Sequence, residues 1–151
     1  MKKQLELTLL SCLLSIPAIT QAGPKDDIYR KGWIDFNKNG KMDIYEDPSA
    51  PIEERVKDLL SQMNMDEKTC QMATLYGSGR VLADALPTEK WKSEIWKDGI
   101  GNIDEEHNGL GKFGSEYAFP YAKHVKAIHD IQRWFVEETR LGIPVDFTNE
   151  G

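Results

Sequence analysis

Cysteine is nearly missing from this chain. Cys12 and Cys70 are the only two in 151 residues, too few for a disulfide framework or a four-thiolate zinc site. Long apolar runs are missing as well. None approaches the roughly 18–20 residues that span a bilayer, so no transmembrane segment is expected. Positive charge is also short, with 19 Lys and Arg against 25 Asp and Glu and a net charge of -6. That balance argues against a nucleic-acid partner, which calls for a concentrated basic face. What is present suffices for a packed core, at 40% hydrophobic and 9% aromatic residues. The length corresponds to one domain on the usual scale of roughly 100–200 residues each.

The first 22 residues read as a signal peptide. Lys2 and Lys3 form a positive start, Leu7 to Ile19 a short apolar stretch, and Thr20-Gln21-Ala22 a small-residue cleavage site. Cleavage after Ala22 leaves Cys70 as the sole cysteine of an exported, periplasmic or secreted protein. Leu9-Leu10-Ser11-Cys12 also resembles a lipobox, which leaves outer-membrane anchoring through Cys12 as an alternative.

Residues 23–48 carry the most specific local pattern. Asp35-Phe36-Asn37-Lys38-Asn39-Gly40-Lys41-Met42-Asp43-Ile44-Tyr45-Glu46 fits the twelve-residue EF-hand loop. Calcium wants six to eight oxygens. Asp35, Asn37, Asn39, Asp43 and Glu46 supply side-chain oxygens at positions 1, 3, 5, 9 and 12. Lys41 supplies its carbonyl at position 7, and Gly40 permits the sharp turn at position 6. Asn, Asp and Gly also gather in turns that bind nothing, for backbone reasons alone. Five side-chain ligands in register with the glycine favour calcium in a structural role, and the absence of a second copy argues against a sensor.

From Asp47-Pro48 onward the periodicity turns helical. Ile52, Val56, Leu59, Leu60 and Met63 mark one face of a helix, with Ser49 to cap it and Pro51 in its first turn. A second helix begins at Asn64, with Glu67 completing a capping box, and runs through Met72. Tyr76 to Arg80 reads as a loop. A third helix is expected over Thr88 to Lys97, with Gly99 as its stop. Trp91 and Trp96 there suit either a sugar platform or packing, and packing is favoured. Ile100-Gly101-Asn102-Ile103 reads as a buried strand and His107 to Phe119 as a glycine-rich loop. A long helix then starts at Tyr121, carries Ala122, Val125, Ile128 and Phe135 on one side, and ends at Leu141-Gly142. His124 and His129 lie five apart, which is not a metal spacing. Ile143 to Thr148 closes the pattern as a second strand. Strand, helix and strand form a βαβ unit and imply a parallel sheet, which needs cover on both faces.

Several phrases resemble the N-terminal part of glycoside hydrolase family three, the β-glucosidase and β-xylosidase family. They are Asp47 to Val56, Asp58-Leu59-Leu60-Ser61-Gln62-Met63, Asp66-Glu67-Lys68, Gln71-Met72, Gly99 to Ile103, Gln132, Thr139-Arg140-Leu141-Gly142-Ile143-Pro144 and Asn149-Glu150-Gly151. They follow in family order over residues 47–151. Cys70 departs from the pattern, where a small Val-Gly pair is usual.

The resemblance implies an α/β fold, with residues 49–151 as the start of a (β/α)8 TIM-type barrel truncated after its second strand. It implies a retaining exo-β-glycosidase, β-glucosidase first and β-xylosidase as the alternative, acting on a β-glycoside or oligosaccharide. Glu150 matches the acidic residue that binds hydroxyls of the terminal sugar, a task that suits a carboxylate because it accepts two charge-assisted hydrogen bonds. The nucleophile and the acid/base of a retaining mechanism would lie beyond Gly151, so no catalytic residue is assigned and the chain alone is expected to be inactive. A stand-alone calcium-dependent binding module is the competing reading from a different class.

Overall fold

The computed structural model describes residues 27–77, 82, 84–94, 97–106 and 114–149. Two small sheets and two substantial helices organise them. A hairpin of β1 (Tyr29–Arg30) and β2 (Trp33–Ile34) pairs antiparallel. Gly32 sits at its turn with φ +90, a conformation open to glycine and disfavoured for other residues. The loop that follows ends in a 3-10 turn, Ile44–Glu46. Helices α1 (Ile52–Gln62) and α2 (Met65–Gln71) come next. Asn64 caps α2 as its sequence demands: Glu67 N donates to Asn64 Oδ1 at 2.8 Å, and Asn64 N donates to Glu67 Oε2 at 2.9 Å. Such a cap is worth about 1 kcal/mol.

The second sheet is parallel, in the order β3 (Thr74–Tyr76), β4 (Asn102–Asp104) and β5 (Asp146–Thr148). Leu75, Ile103 and Phe147 stand in register across it. Their face packs on α4 (Tyr121–Glu138), whose Ile131, Trp134 and Phe135 join Trp91, Ile100, Ile103, Leu82 and Val145 in the core. Trp91 is fully buried, its ring edge-on to Trp134 at 5.5 Å. It therefore serves packing, and it lies on a 3-10 turn, Glu89–Ser93, where a longer helix was expected. Trp96 lies outside the described residues. Gly101 lets two backbones touch: a Cβ there would meet Gln71 O at 2.2 Å.

The barrel expected from the resemblance is overturned. The described residues hold a small α/β unit with an open three-stranded sheet and no barrel. A barrel of that type closes eight tilted parallel strands on one another, whereas β3 and β5 here each pair with β4 alone. Residues 74–76, which precede the expected first strand, supply a further one. The expected helix faces also shift. On α4 the buried stripe runs Ala127, Ile131, Trp134 and Phe135, while Val125 is 65% exposed. On α1 the apolar stripe exists but stays open, with Ile52, Val56 and Leu60 all exposed. A four-residue helix, α3 (Gly114–Tyr117), falls within the stretch read as a loop. No described helix is long and apolar enough to cross a membrane.

Candidate functional site

The loop at residues 35–46 folds around its own carboxylates. Asp35 is 2% exposed and accepts from the backbone N–H of Asn39 at 3.0 Å and of Gly40 at 2.8 Å. Gly40 has φ +79, the left-handed turn its position requires. Glu46 is equally buried and reaches back to accept from Asn37 N at 3.2 Å and Asp43 N at 2.9 Å. The first and twelfth residues are thus oriented by peptide N–H groups, which a carboxylate accepts as charge-assisted hydrogen bonds. Arg30 lies 3.7 Å from Asp35. Burial, followed by the charge of Glu46, pushes the Tyr45 phenol well above its ordinary value.

The remaining expected ligands meet at Asp43. Asn37 and Asn39 both direct Nδ2 to Asp43 Oδ2, the latter at 2.7 Å, and Lys41 N donates to Asn39 Oδ1 at 2.7 Å. Among the described residues, no group of three or more His, Cys, Asp and Glu converges as a metal cluster. Any cation here must draw on the asparagines as well as the carboxylates. The donor set is the all-oxygen kind a hard cation takes, from Asp35, Asp43, Glu46, the two asparagine amides and the Lys41 carbonyl. The asparagine oxygens accept from Asn39 N and Lys41 N, and their amide nitrogens face Asp43. His129 Nδ1 is 3.6 Å from Asp130 and belongs to no such group.

The second place of interest is the carboxyl end of the parallel sheet. Alternation puts Asn102 and Asp104 of β4 beside Asp146 and Thr148 of β5 on the face away from α4. Thr148 Oγ1 donates to Asp104 Oδ1 at 2.7 Å, and Asn102 Nδ2 donates to Asp146 Oδ2 at 3.2 Å. Glu105 and Glu106 follow β4 and are buried, Glu105 with φ +58 and its N–H bonded to Thr148 O. Glu150, two residues past β5 in the sequence, lies outside the described residues, as do residues 1–22, expected to be a signal peptide, with Cys12 among them, and Ser78 to Arg80 and His107.

Residue-by-residue reading missed two contacts that hold these places together. Arg140 pairs with buried Glu67, and Lys38 reaches the end of α4. Glu67 and Arg140 both fall inside the resemblance phrases, which was the available signal for the first pair. Lys38 sits at a loop position with no ligand role and carried no such signal. Cys70 is half-buried, and its thiol is pushed up by burial and then by Asp98 and Asp66, which makes it a poor nucleophile.

No known family's sequence profile matches the chain. It is similar to a protein of Formosa agariphila described as "Putative beta-xylosidase", with 32% identity over 109 residues. The match covers 70% of this chain and 13% of that protein's length. The chain therefore has a glycoside-hydrolase-like relationship that spans only a small part of the relative.

Proposed function

We propose that the chain is part of an exported retaining exo-β-glycosidase of β-xylosidase type, releasing terminal xylose from β-linked glycans. The observation that carries this reading is the 32% identity to the Formosa agariphila protein. It favours the xylosidase alternative over the glucosidase first expected from the family-three phrases. The arrangement of the sheet supports it as well. Ligands of parallel α/β sheets bind beyond the carboxyl ends of strands, and Asp104 and Thr148 occupy such an end; Glu150 follows Thr148 by two residues in the sequence. Glu150 would grip two hydroxyls of the terminal sugar. The basic, apolar and small-residue order of residues 1–22 supports export to the periplasm or beyond, with Cys12 anchoring as the alternative.

The loop binds calcium in this reading, through Asp35, Asn37, Asn39, the Lys41 carbonyl, Asp43 and Glu46. The ion's role is structural: it would balance two buried carboxylates and hold the hairpin side of the molecule. The test is hydrolysis of paired nitrophenyl β-xyloside and β-glucoside by the whole gene product. Faster turnover of the xyloside supports the reading, and faster turnover of the glucoside replaces the sugar. Inactivity on both, with calcium binding intact, leaves the binding-module reading.

A further inference from the structure

The loop is built into the end of α4 through its fourth residue. Lys38 has φ +60, a left-handed conformation that an L-residue adopts only when its surroundings demand it. Its backbone N–H bonds to Asp35 O at 3.3 Å, and its side chain leaves the carboxylates for the helix terminus. There Nζ donates to Val136 O at 2.9 Å and to Thr139 O. The last carbonyls of a helix lack intrahelical partners and carry its negative dipole end, so an ammonium satisfies both.

Two other contacts join the same parts. Gly142 passes so close to the loop that a Cβ would meet Phe36 O at 2.6 Å. Tyr45 Oη lies 3.5 Å from Leu141 O. Beyond that turn, Val145 exchanges hydrogen bonds with Gln132 of α4, at 2.8 and 2.9 Å, immediately before β5 begins. A continuous path of short contacts therefore runs from the loop, through the end of α4, to the start of β5.

We infer that Lys38 transmits occupancy of the 35–46 loop by a divalent cation to the α4–β5 junction, making the junction's order cation-dependent. This rests on the calcium reading above. Calcium drawing the loop's oxygens inward fixes the turn at Lys38, and a fixed turn holds the ammonium on the α4 carbonyls. Without the ion, the same turn and the junction open together.

Hydrogen exchange of the full chain, with calcium and with chelator, tests this alongside terbium luminescence as the probe of cation binding. In the wild-type chain, calcium should slow exchange about tenfold in both 35–46 and 136–142. Lys38→Met should keep terbium binding and protection of 35–46, but lose most of the protection at 136–142. Lys31→Met makes the same charge change on an exposed lysine outside the loop and should behave as wild type. Lys38→Arg should restore the link. Full protection of 136–142 in Lys38→Met, or an equal loss in Lys31→Met, overturns the inference. If the wild-type chain binds neither terbium nor calcium, the calcium reading itself fails. The inference falls with it, and the metal-free comparison of Lys38→Met with wild type then reads only the static contact of Lys38 with the end of α4. If the wild-type chain binds cation but calcium leaves exchange at 136–142 unchanged, the inference alone is overturned.

Discussion

Arg140 holds Glu67 across 73 residues of sequence, its Nε donating to Oε1 at 2.8 Å and its Nη2 to Oε2. The same guanidinium donates to Gln62 O at 2.9 Å. Glu67 is 4% exposed and is also the third residue of the α2 capping box. One carboxylate therefore fixes the start of α2 and ties it to the segment after α4. The hydrogen bonds it donates to Glu67 hold Arg140 above its ordinary value.

Glu67→Gln should consequently cost more than a surface ion pair. Losing the charge leaves Arg140, itself half exposed, without its bidentate partner, and we expect a loss of about 1–3 kcal/mol by urea unfolding. Arg140→Ala should cost a comparable amount. The double variant should cost well under the sum, because both singles break one contact. Additive losses would show that the pair is not coupled.

Gly142→Ala tests the close approach of the loop to the α4 end. Gly142 has φ +58 and faces Phe36 O, whereas Gly32, at φ +90, has nothing within 4 Å of an added Cβ. Gly32→Ala should cost roughly 1–2 kcal/mol from its backbone conformation. Gly142→Ala should cost clearly more than that, because backbone must also shift. Equal losses in urea unfolding would mean the loop does not press on this turn.

These contacts explain which parts of the fold were legible. The α2 capping box is a local pattern, and Asn64 and Glu67 sit where their spacing put them. β3 is three residues, Thr-Leu-Tyr, and is a strand only because β4 pairs with it. Apolar residues lie all around α4, so periodicity alone could not decide between the Val125 side and the Ile131 side; the sheet decides. The buried, N–H-bonded carboxylates of the loop, Asp35 and Glu46, stand at the first and last positions of the register that the sequence shows. The reach of Lys38 was not, because its partners, Val136 and Thr139, lie about a hundred residues away.

Alkaline pH should destabilise the protein through two phenols. Burial, then the hydrogen bond to Glu137, raises Tyr29, and burial, then Glu46, raises Tyr45. A raised folded value means that the native state holds the phenolic proton more tightly than the unfolded chain. The stability this gives is complete below about pH 10, the unfolded phenol's value, and declines as pH rises from there through the folded values. The midpoint of urea unfolding should fall between pH 9 and 11, at about the ordinary phenol range. Tyr45→Phe should flatten that fall, and an unchanged slope in Tyr45→Phe would remove Tyr45 as its source.

Calcium binding at the loop should depend on its first and last positions. Asp35→Asn and Glu46→Gln each remove a ligand charge and should weaken calcium at least tenfold, or about 1.4 kcal/mol, by calorimetry. Met42→Ala, at an exposed loop position, should leave affinity within about twofold, as surface changes away from ligands usually do. Loss of binding in all three equally would indicate unfolding of the loop and not removal of ligands.

The reading of the chain as part of a retaining β-xylosidase is tested most directly by proton NMR of the sugar first released from an aryl β-xyloside by the whole gene product. The account predicts β-xylose as the initial product, before mutarotation, because a retaining enzyme passes through a glycosyl-enzyme. Initial α-xylose, or no xylose at all, would contradict it.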